Sequence, residues 1–463
     1  MNEKVQNKTK LSVLAVGLLS FVGILIETSM NVTFPTIMQE MKVSLSTVQW
    51  LTTGYLLLVT ITMSATAYLL KKFDTKQIFI WAVTFNLIGT ICCALSNGFA
   101  MLLSGRLLQS VSTGLASPAL FFIIVSTIPR QKLGQYMGFA AMLVSLAPAL
   151  GPTYGGILNY YFSWRMIFWP IIPLLLIVLW LGNKNISLSA KKQKIAFDFI
   201  GLLLMSLILV GIEFSLDQFS RYGWGFRLQS ITIVLITLII AYSIYNHLSS
   251  KHLLDFSILT PIVSLRLFNY FSLQFINIGL SFLIPIFAET VLKASSLTAG
   301  LLLLPGSLLG SALAPFAGKW YDRSGYQKPL VSSNILVLIG LMSLLFFAND
   351  LSVCIIVVIY IILRLGFNLG FGNTMSDASK FVAGNKHADQ SSIFNMAQQY
   401  AGSIGTVVMS MMISIHTAMS QNAGSLEATQ KGADSDFVIL IIISLLALLG
   451  TFISKLFIKK EKS

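Results

Sequence analysis

Pro148-Ala149-Leu150-Gly151-Pro152-Thr153-Tyr154-Gly155-Gly156 lies inside an otherwise apolar stretch that runs from about residue 134 to residue 158. Each proline deletes a backbone hydrogen bond and crowds the preceding turn, so two of them four residues apart, with three glycines, would break a helix in water. In a bilayer such a helix persists where packed neighbours re-satisfy the freed carbonyls. Those carbonyls belong here to Val144 and Pro148. Gly151 and Gly155 form a small-xxx-small face that lets another helix approach closely. Pro148, Gly151, Pro152, Gly155 and Gly156 therefore read as a conformational hinge in a bent, tightly packed helix of a moving membrane protein.

Working outward, the chain of 463 residues is 55% hydrophobic and 10% charged, with mean hydropathy +0.80. Such a composition excludes a soluble domain and points to a polytopic helical membrane protein. The apolar stretches are continuous and about 20 residues long, not alternating ten-residue strands, which excludes a barrel. They fall near 11–33, 47–70, 78–96, 100–124, 134–158, 165–182, 197–216, 228–247, 267–290, 298–318, 328–348, 351–373, 391–415 and 435–457. These are fourteen spans, and an even number puts both termini on one side.

Lys and Arg decide which side. With a cytoplasmic N-terminus, the inside segments hold 23 of the 31 basic residues and the outside segments hold six; Arg106 and Arg364 fall within spans. Both termini are thus expected in the cytoplasm, with the chain a multi-pass protein of the cell membrane. The net charge of +14 follows from the same bias. It signals topology and attraction to anionic lipid, not a nucleic-acid footprint. The first apolar run is too long for a cleavable signal and reads as a retained helix. Cys92, Cys93 and Cys354 all lie in spans and read as buried small apolar residues, without disulfide or zinc spacing.

Weak internal similarity divides the chain. Arg106 with Gly114 recurs as Arg364 with Gly372, Gly151 matches Gly405, and Ala67-x-x-x-Lys71 corresponds to the run from Gly318 to Gly325. These three anchors, in order and at nearly constant offset, suggest two six-helix halves with a site at their interface. The expected organisation is an N-terminal half 1–182, a basic linker with two inserted helices 183–250, and a C-terminal half 251–463.

The chain resembles the fourteen-helix drug:proton antiporters of the major facilitator superfamily, the group of tetracycline and quaternary-ammonium exporters. The resemblance covers essentially the full length. It is carried by the run Glu27-Thr28-Ser29-Met30-Asn31-Val32-Thr33-Phe34-Pro35-Thr36-Ile37, by Arg106-Leu107-Leu108-Gln109 with Gly114, and by the Gly151–Gly156 run. Ala299-Gly300-Leu301-Leu302-Leu303-Leu304-Pro305 and Asp322-Arg323-Ser324-Gly325 carry it in the second half. It implies an all-α fold, export in exchange for protons, and a cytoplasmic gate at Gly318, Asp322, Arg323 and Gly325. One departure stands out. Lys71 occupies the place of an acid in the first cytoplasmic loop, with Asp74 three residues on.

Glu27 is the sharpest position. An ionised carboxylate mid-way along a span is expensive and usually lines a cavity or proton path. Asn31 and Phe34 share its helix face at i+4 and i+7, so charge, amide and ring form one stripe. Arg106 stays charged at any accessible pH, with Gln109 and Thr113 on its face. Glu27 and Arg106 are the proton-coupling candidates; a permanent ion pair and a structural arginine are the rival readings. Arg364, with Asn368 one turn on, reads as structural or as an echo of Arg106. Glu213, Asp217 and Glu289 read as solvated interfacial acids, and Asp198 as a helix N-terminal residue. Broad apolar binders use aromatic walls with a few polar groups. That puts Tyr55, Gln274, Asn277, Asn395 and Gln398 in the drug cavity beside Glu27, Asn31, Phe34 and Gln109.

No nucleotide loop, metal-ligand pair or catalytic arrangement is visible, and there are four His in all. The expectation is no enzyme, no cofactor and no metal; a monomer in the lipid bilayer driven by the proton gradient, with amphipathic drugs and protons as partners. The reading is a multidrug exporter of cationic or zwitterionic compounds. Its alternative is a proton-coupled transporter of a peptide, siderophore or amino acid. No expected cytoplasmic loop exceeds about 25 residues, too short for the output domain of a membrane sensor. One membrane acid suffices for a one-proton cycle; more protons would need another site.

Overall fold

A computed structural model describes residues 7–128, 130–187, 197–249, 254–383, 386–419 and 425–461. The helices are α1 (Asn7–Asn31), α2 (Phe34–Met41), α3 (Leu45–Val48), α4 (Trp50–Lys72), α5 (Thr75–Ala94), α6 (Phe99–Thr127), α7 (Arg130–Tyr161) and α8 (Ile171–Asn185). They continue as α9 (Phe199–Tyr222), α10 (Phe226–Leu248), α11 (Pro261–Thr290), α12 (Ser296–Leu302), α13 (Leu304–Ser324), α14 (Gln327–Phe346), α15 (Val353–Ser379), α16 (His387–Met419) and α17 (Ser425–Glu461). No strand occurs among the described residues.

Thirteen helices among the described residues are long and apolar enough to cross a membrane. The remaining expected span, 134–158, lies within α7, a helix of 32 residues that runs unbroken through Pro148 and Pro152. Many side chains of α7, and the linker lysines Lys191, Lys192 and Lys194, lie outside the described residues. Two proline effects refine the expected boundaries. Pro35 lacks the N–H that would bond the Asn31 carbonyl, and α1 stops at Asn31 before α2 begins. Pro305 does the same to the run 298–318, which divides at Leu303 into α12 and α13. Asp198 accepts a hydrogen bond from the Gly201 amide at 2.9 Å, the geometry of a capping residue at the head of α9.

The chain forms two compact units, one of residues 1–209 and 238–253, the other of residues 210–237 and 254–463. The boundary passes through α9 and α10. Within the first unit α1 lies against α6, α7 and α8, α5 against α6 and α8, and α4 against α6. Within the second, α11 lies against α15, α16 and α17, α14 against α15 and α17, and α13 against α15. The second unit thus repeats internally the pairing of the first, a first helix enclosed by later ones. By contrast Leu228 is the one buried residue described in α10, which presents Ile233, Val234, Ile236, Ile239 and Ile240 outward. An apolar surface of that extent is a lipid-facing one.

Several expected placements are corrected. Arg266, counted with a loop, is inside α11 and fully buried; the helix begins six residues before the apolar run does. Glu213 and Asp217 are buried, not solvated. Cys354 is exposed, Cys92 is half-buried, and of the three only Cys93 is buried. Glu27 lies one turn from the end of α1, and Phe34 opens a separate helix, so no single helix face carries Glu27, Asn31 and Phe34.

Candidate functional site

In the first unit, α1, α4, α5 and α6 surround a continuous polar chain without reaching outside it. Arg106 of α6 is fully buried. Its Nη1 donates to Gln109 Oε1 at 2.9 Å and its Nε to the Leu51 carbonyl at 3.3 Å, while Nη2 has no partner among the described residues. Gln109 donates onward to Thr90 at 2.9 Å, and Thr90 to Asn86 at 3.1 Å. The guanidinium stacks 4.2 Å from the centre of the Tyr55 ring. The Tyr55 hydroxyl, in turn, meets Thr113 Oγ1 at 2.6 Å and the Gly23 carbonyl, one turn before Glu27, at 3.2 Å.

Glu27 is 5% exposed and forms no hydrogen bond or ion pair among the described residues. The charge that acts on it is Arg106, and Tyr55 feels both. A permanent Glu27–Arg106 ion pair is therefore absent from this conformation. Asn31 accepts a hydrogen bond from Thr52 at 2.8 Å, which joins α1 to α4 beside the carboxyl. Buried charges without a direct partner are costly.

The hinge helix fits against this same segment. A Cβ built on Gly155 would lie 2.3 Å from the Ser29 carbonyl oxygen, and one on Gly151 would lie 1.9 Å from Thr28 Oγ1. Ser29 and Thr28 directly follow Glu27. The close approach of α7 thus bears on the two residues that follow the candidate carboxyl.

In the second unit the expected cavity residues form two separate groups. Arg364 Nη1 donates to Asn277 Oδ1, whose amide group donates to Gln274 Oε1 at 3.4 Å, and the guanidinium lies 5.0 Å from the Phe367 ring centre. Gln398 accepts from the Tyr270 hydroxyl at 2.9 Å, and Tyr270 stacks on Phe371 at 4.1 Å. Asn395 is half-buried on α16, three residues before Gln398. Of the expected gate, a Cβ added at Gly318 would meet nothing within 4 Å, Arg323 is exposed and Gly325 ends α13 with φ 73°; the Asp322 side chain lies outside the described residues.

Two features escaped the sequence reading. Arg266 Nε donates to Asp377 Oδ2 at 2.8 Å, Tyr321 donates to Asp377 Oδ1 at 2.8 Å, and Arg266 Nη1 donates to Ser454 at 2.9 Å. This buried ion pair ties α11, α13, α15 and α17 together next to the expected gate. In the first unit, Glu40 of α2 pairs with Arg165 at 2.6 Å and accepts from Trp164 Nε1 at 2.6 Å. Partial burial pushes the Glu40 carboxyl up, but hydrogen bonds from Trp164 and Arg165 outweigh it and hold it below the usual carboxylate range.

Residues 16–406 match the model of the Major Facilitator Superfamily. The chain belongs to the Major Facilitator Superfamily. It is a multi-pass membrane transporter. Within the superfamily the chain is 29% identical to the lincomycin resistance protein LmrB of Listeria innocua, covering 96% of this chain and 95% of that one. It is 26% identical to the LmrB of Bacillus subtilis, over 95% of this chain and 94% of the relative. Among solved structures, a peptide transporter POT in complex with sulfate matches with TM-score 0.69 at 17% identity, covering 95% of this chain and 94% of that one. A bacterial homolog of the human lysosomal transporter Spinster, inward-facing and unoccupied, matches with TM-score 0.68 at 14% identity, over 97% and 98% of the chains. These two likenesses concern the fold alone.

Proposed function

We propose that this superfamily member is a multidrug exporter that swaps an outgoing amphipathic cationic or zwitterionic drug for incoming protons. One observation carries the reading: Glu27 is a buried carboxyl without a hydrogen bond, within electrostatic reach of a fully buried Arg106 that is one partner short. The near-full-length likeness to lincomycin resistance proteins supports a drug as cargo.

The cycle follows from the charges. Both termini face the cytoplasm and the carrier works as a monomer in the cell membrane, with no cofactor or metal. Ionised Glu27 draws a cationic drug to the first unit, where Asn31, Phe34, Tyr55 and Gln109 are the binding residues; Gln274, Asn277, Asn395 and Gln398 are those of the second unit. The hinge at Pro148, Gly151, Pro152, Gly155 and Gly156 accommodates the rocking of α7 against α1. The gate near Gly318, Asp322, Arg323 and Gly325 closes the cytoplasmic side. A proton arriving from outside neutralises Glu27, the drug loses its counter-charge and leaves, and Arg106 loses the charge that held it toward α1. One charge across 100 mV is worth about 2.3 kcal/mol and one pH unit about 1.36 kcal/mol, so each proton supplies roughly 4 kcal/mol.

Drug-dependent proton flux in reconstituted vesicles tests this. Wild-type protein should move protons when a lincomycin or ethidium gradient is imposed, and Glu27→Gln should move none while remaining folded. Wild-type proton flux in the Gln variant removes Glu27 from the mechanism.

A further inference from the structure

α9 wears its polarity inside out relative to a helix in water. Leu203, Leu207, Val210 and Phe214 follow one another at helical spacing and are each more than 40% exposed. Flanking that stripe toward the C-terminal end, Glu213, Asp217 and Ser220, spaced i, i+4 and i+7, are 0%, 4% and 8% exposed. Acids on a membrane helix that turn inward are seldom decorative, because a charge in hydrocarbon costs several kcal/mol unless it is paired.

Glu213 has no such pair. Its carboxyl faces Ser403 and Tyr400 of α16, with no hydrogen bond of normal geometry to either oxygen. The groups that face or flank it are Asp217 on α9 itself and Tyr400 and Ser403 from α16. From α10, Leu235 packs at Gly211. No Lys, Arg or His acts on it among the described residues. An ion-pair role is thereby removed. A neutral carboxyl group, by contrast, has one O–H to donate and remaining acceptor capacity, which suits a hydroxyl-lined wall.

We infer that Glu213 is a second proton-carrying carboxyl of the exchange cycle, lodged between α9 and α16. The inference rests on the exchange reading above and deepens it. The step is simple and balanced: the carboxylate takes one proton from the outer aqueous side and returns it to the inner one, with no other bond formed or broken. α16 is also the helix whose Gly405 approaches the α11 backbone, where an added Cβ would come 2.9 Å from the Phe275 carbonyl oxygen. Loading Glu213 therefore acts on a helix already packed closely against α11.

Two protons entering per monovalent drug cation leaving carry one net positive charge inward; one proton leaves the exchange electrically silent. The experiment uses the full chain in vesicles with ethidium as probe, a potassium diffusion potential and no pH difference. Wild-type protein should build an ethidium gradient that grows about 50-fold per 100 mV. Glu213→Gln should lose that voltage dependence, and Glu213→Asp should keep it. An unchanged voltage dependence in Glu213→Gln overturns the inference, as does voltage-insensitive exchange by wild type. No ethidium-coupled proton flux under any gradient would instead overturn the exchange reading itself. Should the Gln variant not fold, dicyclohexylcarbodiimide, which reacts with protonated membrane carboxyls, is applied to wild type and the adduct mapped by mass spectrometry. An adduct at Glu213 supports the inference, and labelling of Glu27 without Glu213 overturns it.

Discussion

Gly155→Ala is the sharpest mechanical test of the α1–α7 contact. The added Cβ would lie 2.3 Å from the Ser29 carbonyl oxygen and 2.9 Å from Val32 Cγ2, where ordinary contact begins near 3.4 Å. The first obstacle is main chain and cannot rotate away, so the two helices must part by about 1 Å. Overpacking of that kind costs ~1–3 kcal/mol, partly offset by the ~1 kcal/mol by which alanine outperforms glycine inside a helix. Gly318→Ala isolates that offset, since nothing lies within 4 Å of its added Cβ. The pair should therefore differ by ~1–3 kcal/mol. Gly155→Ala should unfold at lower temperature in detergent, with slowed drug-dependent proton flux, and Gly318→Ala should match or exceed wild type in stability. Gly151→Ala should fall between them: Thr28 Oγ1 can turn aside at the expense of its 3.0 Å bond to the Ile24 carbonyl, which leaves Thr28 Cβ at 2.9 Å and the Leu25 carbonyl oxygen at 3.1 Å to give way. If Gly155→Ala and Gly318→Ala melt together and transport alike, the close α1–α7 packing plays no part in turnover.

Asp377→Asn strands the buried Arg266 and should destabilise the protein by ~3–5 kcal/mol, whereas the double variant Arg266→Met with Asp377→Leu should recover most of the loss, both read by thermal unfolding. Arg106→Lys keeps the charge but loses the planar stack on Tyr55 and the two-sided reach to Gln109 and Leu51; proton flux should fall at least tenfold with little change in expression. The Glu40 carboxyl is held below its ordinary value, so its bond to Arg165 contributes fully above about pH 4.3 and fades as pH drops through the lower folded value. Both side chains are partly exposed, so solvent screening limits this to ~1 kcal/mol at most; Glu40→Gln should lose up to that amount at neutral pH and converge on wild type as pH falls from 5 to 3, flattening the acid side of the melting-temperature profile.

The spans were legible because the bilayer demands long apolar runs, and Glu27 and Arg106 stood out because charges within such runs are rare. The rest was hidden for identifiable reasons. Arg266 and Asp377 fall just outside the apolar runs 267–290 and 351–373, so neither stands out as a charge within a span. Their pairing, across 111 residues, is a tertiary fact. Glu213 and Asp217 were judged by distance along the helix toward an interface, a measure blind to which face packs inward. Phe34 was placed on a helical stripe with Glu27, although Pro35 already contained the reason for a break. Tyr55 was singled out as a cavity wall; its place beneath the Arg106 guanidinium depends on α4 and α6 meeting.

α10 has 23 residues and so runs about 34 Å, against a hydrocarbon core of about 30 Å. Little protein surrounds it, so its tilt answers to bilayer thickness rather than to side-chain packing. Only the short turn at Gly223–Gly225 separates it from α9. A thicker membrane would stand α10 more upright and pull on the helix that carries Glu213. Drug export in vesicles should therefore vary with lipid chain length, a dependence that no aqueous ligand would produce.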